Sequence, residues 1–347
     1  MYYVEYLRAL RALRVVAILL GILLALVVVM RLWLAAVHAE SPDAWVTQMA
    51  QSSTAVVRTQ RLSDGTVKTT IDDKAQRTHA DIYDRGYAGK RLVITAPSSQ
   101  LDMHFKHPLM IGSLHVVKSD ANGMTTVVVD TNGGENIGDL FIVSLPFALI
   151  VATILGGALA KENDGHLEIA WTRPVSRAVY AVTAMSVDIA ALAATEVLAV
   201  VVFVIAQAFF QMPRYGITTQ GFQALLVALL VPAAWYALVT ACSASFKRGL
   251  GAVIGLLWPA AILLPVFAAV RYGDSMTART VSGLLRAVDT LNPLIYLPGM
   301  GPDGVTNGLS GLGLLGTSSL WASILVLIAL TAAYSAAAIV QWWGVEA

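Results

Sequence analysis

The stretch that decides the fold is VVAILLGILLALVVVMRLWLAAV, residues 15–37, in which Arg31 is the single charge. A transmembrane helix needs about 20 consecutive apolar residues, so this run predicts a membrane span. A cleaved signal peptide is the rival interpretation, because Val37-His38-Ala39 resembles a small-residue cleavage site. Signal peptides have shorter apolar regions, of about 7–15 residues. We therefore expect residues 15–38 to form an uncleaved first span.

The composition of the whole chain agrees with a membrane protein. Of its 347 residues, 57 % are hydrophobic and 13 % are charged, whereas about 25 % of a soluble domain is charged. An ordinary soluble enzyme and a disordered chain are both excluded by this balance. Five further apolar stretches are long enough to cross a bilayer: residues 140–160, 189–210, 222–246, 250–270 and 320–343. The predicted fold class is an α-helical polytopic membrane protein with six transmembrane helices.

The charged residues are concentrated between the first two spans. Residues 40–138 hold 21 of the 45 charged side chains. Alternating β-branched residues predict strands over 66–71, 91–95, 114–118 and 125–130, and Asp64-Gly65 and Asn122-Gly123 predict turns. One helix is expected over 42–61. Residues 39–138 are therefore predicted to be an inserted, strand-rich α+β domain.

This domain has no predicted metal site and no predicted disulfide. Its four histidines, His79, His104, His107 and His115, lack the spacing of a compact metal site. The lone cysteine of the chain, Cys242, lies in the fourth predicted span, where it is interpreted as a small apolar residue.

The distribution of Lys and Arg over the short loops predicts the orientation. With both termini in the cytoplasm, eight basic residues lie inside (Arg8, Arg11, Arg14, Lys161, Arg173, Arg177, Lys247 and Arg248) and four outside (Arg214, Arg271, Arg279 and Arg286). Residues 39–138 are then extracytoplasmic. Residues 1–14, in which leucines alternate with arginines, are expected to form a separate interfacial elbow helix.

The loop between the second and third spans is the most informative polar segment. Residues 161–177 read KENDGHLEIAWTRPVSR. A short helix is expected from Gly165, with Leu167 and Trp171 available to a partner. Pro174 ends it because proline has no amide donor, and Ser176 is expected to cap the next helix.

This loop resembles the corresponding loop of permease subunits of ABC-2 type transporters. The agreement lies at Glu162, Gly165, Leu167, Glu168, Pro174, Val175, Ser176 and Arg177. The chain differs in having His166 where the family often has Ser or Thr, and Ala170-Trp171 where it often has two leucines. The resemblance implies a coupling helix that docks on an ATPase, with contacts from Glu162, Gly165, His166, Leu167, Glu168, Trp171, Arg173, Pro174, Ser176 and Arg177.

The resemblance also implies architecture and partners. It implies a permease body over 139–347 with a re-entrant hairpin at about 278–318, and a second permease subunit, identical or paralogous. It further implies an exporter in the cytoplasmic membrane of a bacterium, with no nucleic-acid partner. The chain itself lacks a phosphate-binding loop, since Gly86–Lys90 has the wrong spacing. ATP and Mg²⁺ are therefore expected on a separate ATPase subunit, in two copies, with no catalytic residue in this chain.

Two acids in the third apolar region leave other functions open. Asp188 and Glu196 are candidates for a translocation path, since charges inside a membrane are commonly functional. Glu196 could instead serve a proton-coupled secondary transporter, or be a hydrogen-bonded residue between helices. A membrane-anchored external binding or assembly module without transport is the third alternative.

Overall fold

The fold of the chain is given by a computed structural model. It describes residues 2–36, 42–86, 89–105, 112–119, 123–131, 135–157, 159, 176–209, 215–245, 250–269, 275–297, 299–301, 304–306 and 320–344. The chain divides into two compact units. We call Met1–Gly21, Asn136–Phe203 and Ile217–Ala347 the helical unit, and Ile22–Glu135 with Val204–Gly216 the sheet unit.

The first helix, α1 (Tyr2–Ala36), is continuous over 35 residues. The prediction of a separate elbow helix over residues 1–14 is therefore wrong, because this tract and the first predicted span form a single helix. Ala9, Ala12 and Val16 lie on one buried face of this helix. The opposite face, with Leu7 and Ile18, is exposed.

Five further long helices follow. They are α4 (Ile137–Leu155), α5 (Arg177–Ala208), α6 (Thr219–Ser243), α7 (Leu250–Ala269) and α9 (Leu320–Gly344). Among the described residues, five helices are long and apolar enough to cross a membrane: α1, α4, α5, α6 and α9. The apolar part of α7, Val253–Ala268, is shorter. The structure thus supports a polytopic membrane protein with five candidate spans, and the sixth span remains a prediction.

The helical unit packs around α6, which lies against α4 and α9. A Cβ added to Gly138 on α4 would collide with the backbone of Gly221 on α6, and one added to Gly156 would lie 2.7 Å from Val239 Cγ1. The first contact joins the starts of α4 and α6, and the second lies near their ends, so the two helices run parallel. Glycine at these positions permits their close approach, as in other membrane helix pairs.

A hydroxyl group connects α4, α6 and α7. Thr153 accepts hydrogen bonds from the indole nitrogens of Trp235, at 3.0 Å, and Trp258, at 3.2 Å. The two indole rings lie 4.9 Å apart between centroids. An apolar membrane interior offers no water to these donors, so the shared acceptor stabilises the contact.

The predicted hairpin region is partly described. It contains α8 (Met276–Asp289), a 3₁₀ helix (Pro293–Tyr296) and two short antiparallel strands, β9 (Gly299–Gly301) and β10 (Gly304–Thr306). Ser275 caps α8, and Asn292 caps the 3₁₀ helix. Three apolar side chains of α8, Val281, Leu284 and Val288, are exposed. Residues 307–319 of the hairpin lie outside the described part of the chain.

The sheet unit contains a six-stranded antiparallel sheet. Its strands are β1 (Ala55–Arg61), β2 (Val67–Asp73), β3 (Thr78–Asp84), β4 (Lys90–Pro97), β5 (Gly112–Ser119) and β6 (Met124–Thr131), in the order β1-β2-β3-β4-β6-β5. Helices α2 (Pro42–Ala50) and α3 (Ser98–Phe105) accompany it, and two-residue strands β7 (Glu135–Asn136) and β8 (Tyr215–Gly216) complete the list of elements. The four predicted strands and the α+β character of the domain are confirmed.

The single helix expected over 42–61 is wrong. The helix ends at Ala50, and Ala55–Arg61 forms β1, which pairs with β2 along its whole length. The hydroxyls of Ser52 and Thr54 hydrogen-bond to one another in the intervening turn at 2.9 Å. Ser and Thr compete with helical hydrogen bonding in this way, and pairing with β2 then favours the strand.

The core of the sheet unit lies on one face of the sheet. Trp45, Val46 and Met49 of α2 pack there against Leu92 and Ile94 of β4. The turn at Gly65 was predicted correctly, since its φ of +85° suits glycine.

Carboxylates outside this core are held by hydrogen bonds. Burial alone would raise the pKa of Asp81, but hydrogen bonds from Thr70 and Lys68 outweigh it and lower the pKa. Burial also opposes ionisation of Asp73, whose pKa is nevertheless lowered by hydrogen bonds from Thr54, Ser52 and the following backbone amides. Both carboxyl groups are therefore favoured as carboxylates in the folded sheet unit.

Candidate functional site

Most of the predicted coupling loop lies outside the described residues. This applies to Glu162, Gly165, His166, Leu167, Glu168, Trp171, Arg173 and Pro174. The description resumes at Ser176, and α5 begins at Arg177. The Ser176 hydroxyl accepts a hydrogen bond from the Val179 amide at 3.3 Å, which confirms the predicted cap.

The first turn of α5 contacts two other helices. The Tyr180 hydroxyl donates a hydrogen bond to Glu5 of α1 at 2.9 Å. Its ring stacks on Trp342 of α9, with centroids 6.3 Å apart. Nearby, Leu159, Ala181 and the end of α6 form a common apolar cluster with Trp342. The helix that follows the predicted coupling loop is thus joined to α1 and α9 close to its start.

A buried ion pair follows on the same helix. Asp188 is completely buried, and Nη2 of Arg8 donates to both of its carboxylate oxygens at 2.7 Å. The Tyr236 hydroxyl on α6 donates to the same carboxylate at 2.8 Å. Arg8 also pairs with Glu5 at 2.9 Å. We call Glu5, Arg8, Tyr180, Asp188 and Tyr236 the Arg8 cluster, and it connects α1, α5 and α6.

The Arg8 cluster contains more negative than positive groups. Two carboxyl groups, Glu5 and Asp188, share Nη2 of one guanidinium, while Nε and Nη1 have no hydrogen-bond partner among the described residues. Charge-assisted hydrogen bonds of this kind are stronger than neutral ones. Loss of one partner would leave an uncompensated charge in an apolar setting, which is costly. The cluster therefore couples the positions of the three helices that supply it.

Glu196 differs from Asp188 in having no hydrogen-bond partner among the described residues. Its side chain is 1 % exposed, and neither carboxyl oxygen has a hydrogen-bond partner in the described part of the chain. The neighbouring Thr195 hydroxyl donates to the Ala191 carbonyl on its own helix, at 2.8 Å. The two predicted acids are thus both buried, but they are two separate sites, about 12 Å apart along the helix axis.

Sequence reasoning identified the two acids but missed their surroundings. Glu5 and Tyr236 were not singled out, and Arg8 was interpreted as a cytoplasmic basic residue of the predicted elbow helix. The requirement that a buried carboxylate be paired could have prompted a search for a basic partner for Asp188. Spacing along the chain gave no signal for Arg8, because 180 residues separate the two positions.

Metal binding receives no support from the described residues. They contain no group of three or more His, Cys, Asp or Glu side chains that could hold a metal ion. His104, His107 and His115 cannot be placed in this way, since their side chains lie outside the description. His79 instead pairs with Asp72 on the adjacent strand.

These features define a class of protein: a polytopic helical membrane protein with a separate antiparallel sheet unit and buried charges between its helices. Comparisons with protein-family models, with curated proteins and with solved structures find no match to the chain.

Proposed function

We propose that the chain is the membrane subunit of an ATP-driven transporter of the ABC-2 type, with ATP hydrolysed by a separate subunit. The observation that carries the proposal is the residue pattern of 161–177, which resembles a coupling helix and leads directly into the capped start of α5. The described candidate spans supply the membrane body that such a subunit needs.

The contacts of α5 suggest how movement of the loop would reach the membrane body. Tyr180 touches α1 and α9 one turn after the Ser176 cap. Asp188, about two turns further on, holds Arg8 of α1 and Tyr236 of α6. A displacement of the start of α5 would therefore shift three other helices at once. In this proposal, closure of an ATPase dimer moves the loop, and the helices of two permease subunits follow.

The proposal is tested on the chain purified with its native partners from its own membranes. Glu162→Lys and Leu167→Asp should lower the ATP hydrolysis of the copurified complex at least several-fold, because charge and apolar contact would both be lost at the docking surface. Lys74→Glu, on the exposed turn between β2 and β3, is the matched charge-reversal control and should leave hydrolysis unchanged. Purification without an ATPase, or hydrolysis unaffected in both loop variants, would contradict the proposal.

Two other functions make different predictions. A proton-coupled secondary transporter would continue to transport without ATP and stop when the proton gradient collapses. A membrane-anchored binding module would keep its activity when spans two to six are removed. Of these, only the first draws on a specific observation, the buried Glu196.

A further inference from the structure

Glu196 is buried in a candidate span, and its carboxyl group has no polar partner among the described residues. In the described helical unit it is the one ionisable side chain in that situation. Both carboxyl oxygens are unpaired there, and the side chain is 1 % exposed. Asp188, on the same helix, receives three hydrogen bonds from Arg8 and Tyr236. The two acids thus form an internal comparison between a paired and an unpaired carboxyl group in α5.

An ionised carboxylate in this position would be strongly unfavourable. Its desolvation in an apolar interior costs several kcal/mol even after relaxation. No described residue supplies a hydrogen bond or an ion pair that would offset this cost. The residues one turn before and after it on α5 are Leu192 and Ala199, both buried and apolar. The Thr195 hydroxyl supplies no hydrogen bond to Glu196, because it donates to the Ala191 carbonyl.

Charge neutrality at Glu196 requires either a metal cation or a proton. A hard metal cation needs several oxygen ligands arranged around it. The described residues contain no group of three or more His, Cys, Asp or Glu side chains that could hold a metal ion. A proton needs only the carboxyl group itself, so it is the ligand that these surroundings favour.

We propose that Glu196 is a proton-binding site of the helical unit, occupied by a proton in the conformation described. The proton bound to one carboxyl oxygen leaves Glu196 as a neutral carboxylic acid within the apolar interior. This inference does not rest on an ATPase partner, since it concerns one side chain and its surroundings.

Infrared difference spectroscopy of the full chain in lipid vesicles tests the proposal. A carboxylic acid has a carbonyl stretching band that is separate from the amide bands and absent from a carboxylate. At neutral pH, in buffer without sodium, the wild-type protein should show this band and Glu196→Gln should lack it. Glutamine has the shape of the neutral acid, so the variant should fold. Asp130→Asn, at a half-exposed carboxyl group of β6, is the control and should retain the band.

A second measurement on the wild-type sequence removes any dependence on folding of the variant. Protein labelled with ¹³C at the glutamate side-chain carboxyl should shift the band, whereas label at aspartate should not. Glu5→Gln separates the contribution of the other buried glutamate. The proposal is overturned if no glutamate-dependent band exists at neutral pH, or if sodium ions abolish it, since that would indicate a metal cation at the site.

Discussion

At the scale of single residues, the Arg8 cluster illustrates how a membrane helix retains a charge in its interior. Arg8 is accessible over 24 % of its side chain, yet its Nη2 holds two buried carboxyl groups. Tyr180 and Tyr236 each add a hydroxyl donor to one carboxylate. Such a cluster is stabilising only while every member is present, because removal of one side chain leaves the charge of its partner unpaired in an apolar setting.

Removal of the arginine should therefore destabilise the protein more than its exposure suggests. Arg8→Met leaves Glu5 and Asp188 without their shared cation, and we expect a loss of about 3–5 kcal/mol in unfolding free energy. Arg14→Met, on the exposed face of the same helix, is the control and should cost less than about 1 kcal/mol. Denaturant unfolding in mild detergent measures both changes.

A double-mutant cycle distinguishes coupling from general damage. If Arg8 and Asp188 act as a pair, Asp188→Asn should cost much less in the Arg8→Met background than in the wild-type protein. Equal costs in the two backgrounds, or equal effects of the Arg8 and Arg14 variants, would show that the ion pair does not hold these helices.

At the scale of secondary-structure elements, the glycines of α4 set its distance from α6. A Cβ at Gly138 would collide with backbone atoms of Gly221. Backbone atoms cannot relieve a collision by changing rotamer, as a flexible side chain can. At the other end, Ser243 of α6 donates to the Gly156 carbonyl at 3.0 Å, a contact that depends on the same short separation. The parallel α4–α6 pair thus depends on two small residues near its ends.

A single methyl group at the first of these positions should disturb the pair. Gly138→Ala forces the helices apart and should cost about 1–3 kcal/mol, the usual range for overpacking. Gly255→Ala on α7 adds the same methyl group where nothing lies within 4 Å, so it should be neutral or slightly stabilising. Thermal unfolding followed by circular dichroism compares the two variants, and similar melting temperatures would argue against the close contact.

At the scale of the whole molecule, the two units have separate cores of different chemistry. The sheet unit has the core formed by α2 and β4, with carboxylates such as Asp81 outside it. The helical unit is built from apolar helices with few charges. The two units should therefore respond differently to pH.

Acid should destabilise the sheet unit through its hydrogen-bonded carboxylates. The pKa of Asp81 and of Asp73 is lowered on folding. Each carboxylate thus stabilises the fold fully above its unfolded pKa of about 3.9, and this stabilisation is lost as the pH falls through the lower folded value. Hydrogen exchange of β2 and β3 amides, corrected for intrinsic rates, should accelerate below about pH 4.

Asp81→Asn provides the matched variant for this pH dependence. It removes the titrating group that accepts from Thr70 at 2.6 Å and from Lys68 at 3.0 Å. Exchange in β2 and β3 should already be faster at neutral pH and should change less on acidification. An unaltered pH dependence in this variant would assign the acid response to other groups.

Prediction from sequence was most successful where the cause is local. Ser176 was expected to cap a helix and does so, because the cap depends on residues within one turn. Gly65 was expected in a turn and has a positive φ. The same local reasoning was wrong for Ala55–Arg61, since its strand conformation depends on pairing with β2.

The amino-acid sequence alone determined the membrane class of the chain and the inserted strand-rich domain, because hydropathy and residue alternation are properties of neighbouring residues. The tertiary structure decided which groups meet. Arg8 reaches Asp188 across 180 positions of sequence, while Glu196, eight residues further along the same helix, is left unpaired. Pairing of buried charges depends on how helices pack side by side, and that arrangement has no signature in the spacing of residues along the chain.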